Sequence, residues 1–316
     1  MRVGFFLCTE EYDPASLLAQ ARAAEEAGFQ GLWISDHFHP WNDAQGQSPF
    51  VWSVIGALSQ VCRLPVTTAV TCPTVRIHPA IIAQAAATSA VLHEGRFVLG
   101  VGTGEALNEH IFGDPWPPAA VRMEMLEEAV QLIRRLWTDE VVSHEGAHYS
   151  VENARIYTLP ETPPPIYVSG FGPKSAKLAA RIGDGYIGAE PTRELVDRFR
   201  ASGGGNKPCQ ASFKAAYAES EDEGMRLAHQ RWTSDLLPGE LAQVLPYPRH
   251  FEQVGALVTP EMMKKKFVCG NDPEAHLRKI EEYRQAGYDE VYVGSTGPHY
   301  LELIRMYAEH VLPAVT

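Results

Sequence analysis

The feature that most constrains this chain is a repeated change of hydrophobic period. Short apolar runs rich in Val, Ile and Phe alternate with longer segments whose apolar residues recur at helical spacing. Parallel strands need a long crossover between them, and a helix is the usual way to make it, so this alternation reads as βα units on a parallel sheet. Strands are expected at residues 3–8, 32–35, 66–70 and 97–101, with helices at 14–27, 51–60, 80–92 and 121–137. A hairpin is expected around 141–149. Further strands are expected at 166–168, 185–187, 211–217, 267–269 and 291–293, with helices at 174–182, 221–232, 274–286 and 300–311. Eight or nine strands, each leading to a helix, fit an α/β (β/α)8 TIM barrel with insertions; an open doubly wound sheet is the alternative. Pro238, Pro246, Pro248 and Pro260 break the period in the second half, which places an insertion around 233–266 in a single barrel domain spanning 1–316.

Charge narrows the partners. With 39 acidic against 27 basic residues the formal net charge is −12, which disfavours nucleic acid and anionic lipid, since both are held by Lys and Arg. No apolar run approaches the roughly eighteen residues of a membrane span, and the first residues lack a signal-type apolar region and cleavage site. The five cysteines are scattered, with no C-x-x-C pair, so they read as reduced thiols of a cytoplasmic enzyme.

In a barrel the chemistry gathers at the carboxyl ends of the strands. The first strand ends at Glu10 and the second runs into Ser35, Asp36, His37, Phe38, His39, Pro40 and Trp41. The third leads to Cys72 and the fourth to Thr103, Gly104, Glu105 and Asn108. His37 and His39 have the H-x-H spacing of some zinc barrels, so a metal-dependent hydrolase is one reading; the later strand ends supply no further ligands of that kind, and no metal is expected. Two plainer readings also stand: loop histidines making ordinary hydrogen bonds, and glycines at 102 and 104 that only shape a turn. The run GVGTGEALNE lacks the G-x-G-x-x-G spacing of a dinucleotide turn, but its glycines would let backbone lie against a flat ring with Glu105 beside it. GFGPKS, after the fifth barrel strand, reads as an anion cradle: Phe171 and Gly172 precede a helix opening on Pro173, with Lys174 and Ser175 adding donors.

SDHFHPW, TCPTVRIHPAIIAQAAAT and GVGTGEALNE together resemble the luciferase-like barrel oxidoreductases, in the branch of glucose-6-phosphate dehydrogenases that use the deazaflavin coenzyme F420. The resemblance spans nearly the whole chain and is densest from 4 to 137. It implies a homodimeric dehydrogenase that moves a hydride from a sugar, sugar-phosphate or other secondary-alcohol carbon to coenzyme F420. By the same resemblance Asp36, Cys72, Thr103, Gly104 and Asn108 contact the deazaflavin, and Phe171, Gly172, Lys174 and Ser175 hold its phosphate. His37 is then the base and Glu105 the acid, Trp41 joins them in the catalytic set, and Glu10, His39 and Lys265 face the substrate. A cis peptide at Ala69–Val70 is also implied. Of the family's cationic phosphate contacts only Lys265 is matched, the others falling near 189–192 and 298–299; Lys264, Lys266 or Arg193 are the available substitutes. A neutral sugar or other secondary alcohol therefore stands beside a sugar phosphate as substrate. An FMN-dependent monooxygenase on the same barrel and a non-catalytic cofactor-binding barrel are the remaining alternatives.

Overall fold

The computed structural model describes residues 1–315. Eight parallel strands close a ring in the order β1 (Arg2–Leu7), β2 (Leu32–Ile34), β3 (Val66–Thr68), β4 (Phe97–Val101), β7 (Ile166–Ser169), β8 (Gly185–Ile187), β9 (Cys209–Ala216) and β11 (Glu290–Ser295), with β11 pairing back to β1. The closed ring excludes the open doubly wound sheet. An antiparallel hairpin, β5 (Val142–Glu145) and β6 (Ser150–Ala154), stands where one was expected. The strand expected at 267–269 is only β10 (Val268–Cys269), hung on β9 outside the ring.

The helices between strands are α1 (Pro14–Ala27), α2 (Val51–Leu58), α3 (Pro79–Leu92), α4 (Ala106–Glu109), α5 (Ala119–Thr138), α6 (Pro173–Ile182), α7 (Arg193–Phe199) and α8 (Glu221–Trp232). Local chemistry sets their ends. Asp13 caps α1 by accepting from the N–H groups of Ala15 and Ser16, and Gly28 stops it at φ 93°. The short α7 escaped the sequence reading because its seven residues give less than two clear apolar periods. The expected insertion is built from a 3-10 turn (Thr233–Leu236), α9 (Leu241–Val244), α10 (Pro248–Gly255) and a second 3-10 turn (Pro260–Lys265), so proline shortens its helices without abolishing them. α11 (Pro273–Ala286), α12 (Tyr300–Met306) and α13 (Leu312–Val315) complete the chain. None of the described helices is long and apolar enough to cross a membrane.

The barrel is filled, as side-chain volume requires of eight strands. At the amino-terminal end Glu290 accepts from Arg2, from Gln210 (3.1 Å) and from the Tyr292 hydroxyl (2.7 Å), while Trp33 stacks on Tyr292 with centroids 4.8 Å apart. The Tyr292 ring fits because Gly4 lacks a side chain: a Cβ there would fall 2.3 Å from it. At the other end the peptide Ala69–Val70 is cis, as the resemblance implied, and β3 stops at Thr68, earlier than the apolar run does. The hairpin braces the following loop, since the buried Tyr149 hydroxyl donates to the carbonyls of Pro73 (3.1 Å) and Thr74 (3.0 Å).

Candidate active site

The carboxyl ends of β1 and β2 bring Glu10 and His37 together. Glu10 Oε1 lies 3.4 Å from His37 Nε2, and its other oxygen accepts from Ser35 Oγ at 2.6 Å. Glu10 is buried, so its charge acts in a poorly solvated place. His37 Nδ1 has two neighbours, the His39 carbonyl at 3.1 Å and Asn108 Nδ2 at 3.2 Å. Trp41 forms one wall, its ring centroid 5.1 Å from His37 and 5.1 Å from Phe251 of α10.

α4 is a single turn that joins this pair to the fourth strand. Glu105 stands at its N-cap, and Asn108 Nδ2 is 3.5 Å from Glu105 Oε2. Asn108 Oδ1 accepts from the N–H groups of Phe38 (2.8 Å) and His39 (3.2 Å), which fixes the amide's orientation. His39 is turned away toward α4: Nδ1 donates to the Leu107 carbonyl at 2.9 Å, and the ring stacks on His110 at 5.8 Å. Among the described residues no three His, Cys, Asp or Glu side chains gather where a metal ion could be held.

Behind this row lies a charged cluster of which the sequence reading named only Asp36. Asp36, fully buried at its side chain, accepts from Thr71 Oγ1 (2.7 Å) and from Arg76 (2.7 Å). Both carboxylate oxygens are thus engaged within the protein. Arg76 also faces Glu109 (3.7 Å), whose carboxylate takes the N–H groups of Val75 (3.1 Å) and Arg76 (2.6 Å). Burial pushes the Glu109 carboxyl up to about 7, against the pull of Arg76 and those N–H groups. The spacing of Glu105 and Glu109, four apart at the end of a glycine run, was the available signal; Arg76 gave none before the third loop's path was known.

The glycines have different tasks. A Cβ on Gly102 would fall 2.7 Å from Val70 Cγ2 and 2.8 Å from Ser169 Oγ, so only glycine lets three strand ends close up there. Gly104 has φ +82°, and its position is ringed by Glu109, Trp116 and Cys72. Cys72 is buried, and burial first, then Glu105 and Glu109, holds its thiol well above the usual range. Thr103 is partly exposed beside Gly104.

After β7, Gly172 caps α6 with no side-chain bond to its first N–H groups, which stay available to an anion. Ser175 Oγ accepts from the Gly172 N–H at 3.1 Å and donates to its carbonyl at 3.0 Å, shaping the loop. Lys174 and Phe171 are exposed at its rim. The start of α6, with no side-chain cap, suits an anion such as the phosphate of a coenzyme.

The expected substrate cations are less concentrated. Lys265 is solvent-exposed on the second insertion turn, Lys264 pairs with Glu221 (2.8 Å), Lys266 with Glu190 (2.9 Å) and Arg193 with Asp197 (3.4 Å).

The profile of the family described as luciferase-like monooxygenase matches residues 1–290. An F420-dependent glucose-6-phosphate dehydrogenase of Microbacterium testaceum (strain StLB037) is 34% identical over 325 residues, covering 99% of this chain and 97% of that protein. One from Segniliparus rotundus is 34% identical over 330 residues, with the same coverage of each. Among solved structures, an F420-dependent secondary alcohol dehydrogenase in complex with an F420-acetone adduct superposes with a TM-score of 0.93 at 31% identity, over 100% of this chain and 99% of the other. The coenzyme F420-dependent tetrahydromethanopterin reductase of Methanopyrus kandleri shares the fold, with a TM-score of 0.79 at 19% identity over the whole of both chains.

Proposed function

The chain belongs to the luciferase-like monooxygenase family, and we propose that within it this protein is a coenzyme F420-dependent dehydrogenase acting on the hydroxyl-bearing carbon of a sugar or other secondary alcohol. The observation that carries the reading is the Glu10–His37 pair at 3.4 Å, with Asn108 standing between His37 and Glu105. Relatives and the secondary alcohol dehydrogenase neighbour support it; an FMN monooxygenase and a metal hydrolase find less support.

Thr103, Gly104, Asn108 and the first N–H groups of α6 would hold the coenzyme, which would supply a ring carbon able to accept hydride. The protein's part is to move protons and to orient. His37 Nε2 takes the hydroxyl proton of the alcohol as its C–H hydride leaves, and the nearby Glu10 carboxylate favours the positive charge that forms. Glu105 supplies a proton on the coenzyme side. Trp41, backed by the buried Phe251, walls the side on which the alcohol carbon is held.

The substrate is neutral in this reading. Lys264, Lys266 and Arg193 already have carboxylate partners, and Lys265 alone offers little to a dianion. We also infer a cytoplasmic homodimer. Phe50, Ile81, Val91 and Leu92 expose an apolar face across α2 and α3 that a second copy would cover, and Ile81→Glu is expected to halve the mass seen by light scattering.

The deciding experiment is titration of the purified protein with oxidised F420 and with FMN, followed by a panel of alcohols and sugars. Loss of deazaflavin absorbance on adding an alcohol is expected. Selective FMN binding with oxygen-dependent turnover would overturn the reading.

A further inference from the structure

We propose that Lys214 and Asp235 form a substrate-selecting pair, reading a second uncharged oxygen of the alcohol while Asp235 turns anionic alcohols away. This rests on the dehydrogenase reading and extends it to the part of the substrate beyond the reacting carbon.

The ladder places Lys214 in the mouth. Lys214 pairs in register with Gly294 of β11, and Gly294 with Phe6 of β1. Phe5 packs outward on Phe29, at 5.4 Å, so alternation turns Phe6 and its row inward. Gly294 leaves the row open: a Cβ there would lie 3.1 Å from Cys8 Sγ and 3.6 Å from Lys214 Cγ. The lysine stem runs through this gap toward the carboxyl end of the barrel. There Nζ lies 2.6 Å from Asp235 Oδ2 and 3.9 Å from the Trp232 ring centroid.

A cation in such a place is costly unless paired, and the insertion supplies the partner, since Asp235 sits on the turn Thr233–Leu236. Burial opposes the charged ammonium, but Asp235 and more distant acidic groups, Glu10 included, hold it above the ordinary lysine range. Glu10 is the carboxylate beside His37, which ties the pair electrostatically to the reacting centre. The pair is not sealed: the Lys214 and Asp235 side chains are 16% and 24% exposed.

An ammonium has three N–H donors and a carboxylate only acceptors. A hydroxyl can accept from Lys214 and donate to Asp235 at once. A carboxylate or phosphate can only accept, and meets the charge of Asp235 at close range. The pair therefore favours diols and polyols over hydroxy acids and sugar phosphates, and over alcohols with no second oxygen.

Propan-2-ol, propane-1,2-diol and lactate test this, because they share a methyl carbinol and differ only in the third substituent. Their dissociation constants would be measured by calorimetry on enzyme loaded with the reduced coenzyme, which cannot accept a hydride, and kcat/KM alongside with the oxidised form. The parent is expected to prefer the diol. Asp235→Asn should raise the lactate-to-diol affinity ratio by about tenfold or more, and adding Lys214→Met should reverse that gain. A ratio unchanged in well-folded Asp235→Asn overturns the proposal. Should that variant fail to fold, Lys214→Met with Asp235→Leu removes both charges; it should lose the preference for diol over propan-2-ol, and keeping it is equally fatal. Binding ratios are read without turnover, so a parent that oxidises none of the three tells against the dehydrogenase reading and not against the pair.

Discussion

Asn108 Nδ2 lies 3.2 Å from His37 Nδ1 while its Oδ1 holds the backbone of the two residues that follow His37. When the amide donates to Nδ1 the imidazole proton sits on Nε2, facing Glu10; when Nδ1 instead donates to the His39 carbonyl, Nε2 is the free base. Asn108 thus sets the position of the ring, while the Nδ1–H bond to the His39 carbonyl is the one that leaves Nε2 free to act as the base. Asn108→Asp keeps the two backbone bonds but replaces the donor by an acceptor, so the Nδ1–H tautomer should dominate, visible in ¹⁵N shifts of His37. Asn108→Leu loses the backbone bonds as well and should cost about 2 kcal/mol in denaturant titrations.

His37→Asn is expected to lower kcat by about 10²- to 10⁴-fold, the usual range for loss of a proton-transfer group. Glu10→Gln should lower it less, since that side chain acts through His37. In both, coenzyme affinity followed by fluorescence should stay near the parent value; a matching loss of affinity would move these residues into coenzyme binding.

Two neighbours at the start of α6 should separate. Lys174 is exposed, so Lys174→Ala should leave the melting temperature alone and weaken coenzyme binding severalfold in low salt, the difference shrinking as salt screens it. Ser175 bonds Gly172 through both its donor and acceptor roles, so Ser175→Ala should lower stability by about 1 kcal/mol in addition to any effect on affinity.

Glu109 gives a pH test. Its folded carboxyl keeps a proton up to about 7, whereas an unfolded glutamate releases it near ~4.3. Across that window the folded state binds the extra proton, so this group's contribution falls as pH rises from about 4 to 7 and is flat above. Glu109→Gln should remove up to roughly 3 kcal/mol of that decline between pH 5 and 8. His276 has the opposite sign, because burial lowers it to about 4 and its contribution is lost as pH falls from ordinary histidine values toward that point. Comparing slopes of parent and variant cancels it.

Charge also predicts selectivity. Glucose 6-phosphate over glucose should differ in kcat/KM by no more than about tenfold, roughly 1.4 kcal/mol, given that the nearby cations are paired and the net charge is −12. A preference of a thousandfold would mean a phosphate site rebuilt from Lys265 and its neighbours, and Lys265→Ala should then abolish it.

The barrel and half of the site were legible because their determinants are local. Period changes mark β1, α1, β4 and α5 within a residue or two, and the strand ends deliver Glu10, His37 and Glu105 in sequence order. What stayed hidden depends on contacts between distant segments. Lys214 and Asp235 belong to different elements, and nothing near either residue shows that they meet. Arg76 reads as a loop cation until the path of the third loop brings it between Asp36 and Glu109. His39, paired with His37 in the H-x-H spacing, turns to Leu107 and His110 because its backbone follows the loop around Asn108. Spacing along a loop, unlike spacing along a strand, does not say which way a side chain faces.

The loops after β2 and β4 hold the proposed proton-transfer groups, whereas Asp235 arrives on an insertion that the ring of strands does not need for closure. Redesign can exploit that separation. A library confined to the turn Thr233–Leu236 would vary what enters the mouth while leaving His37, Glu105 and Asn108 on their own supports, so new specificities should appear without a matching loss of rate at the carbon that reacts.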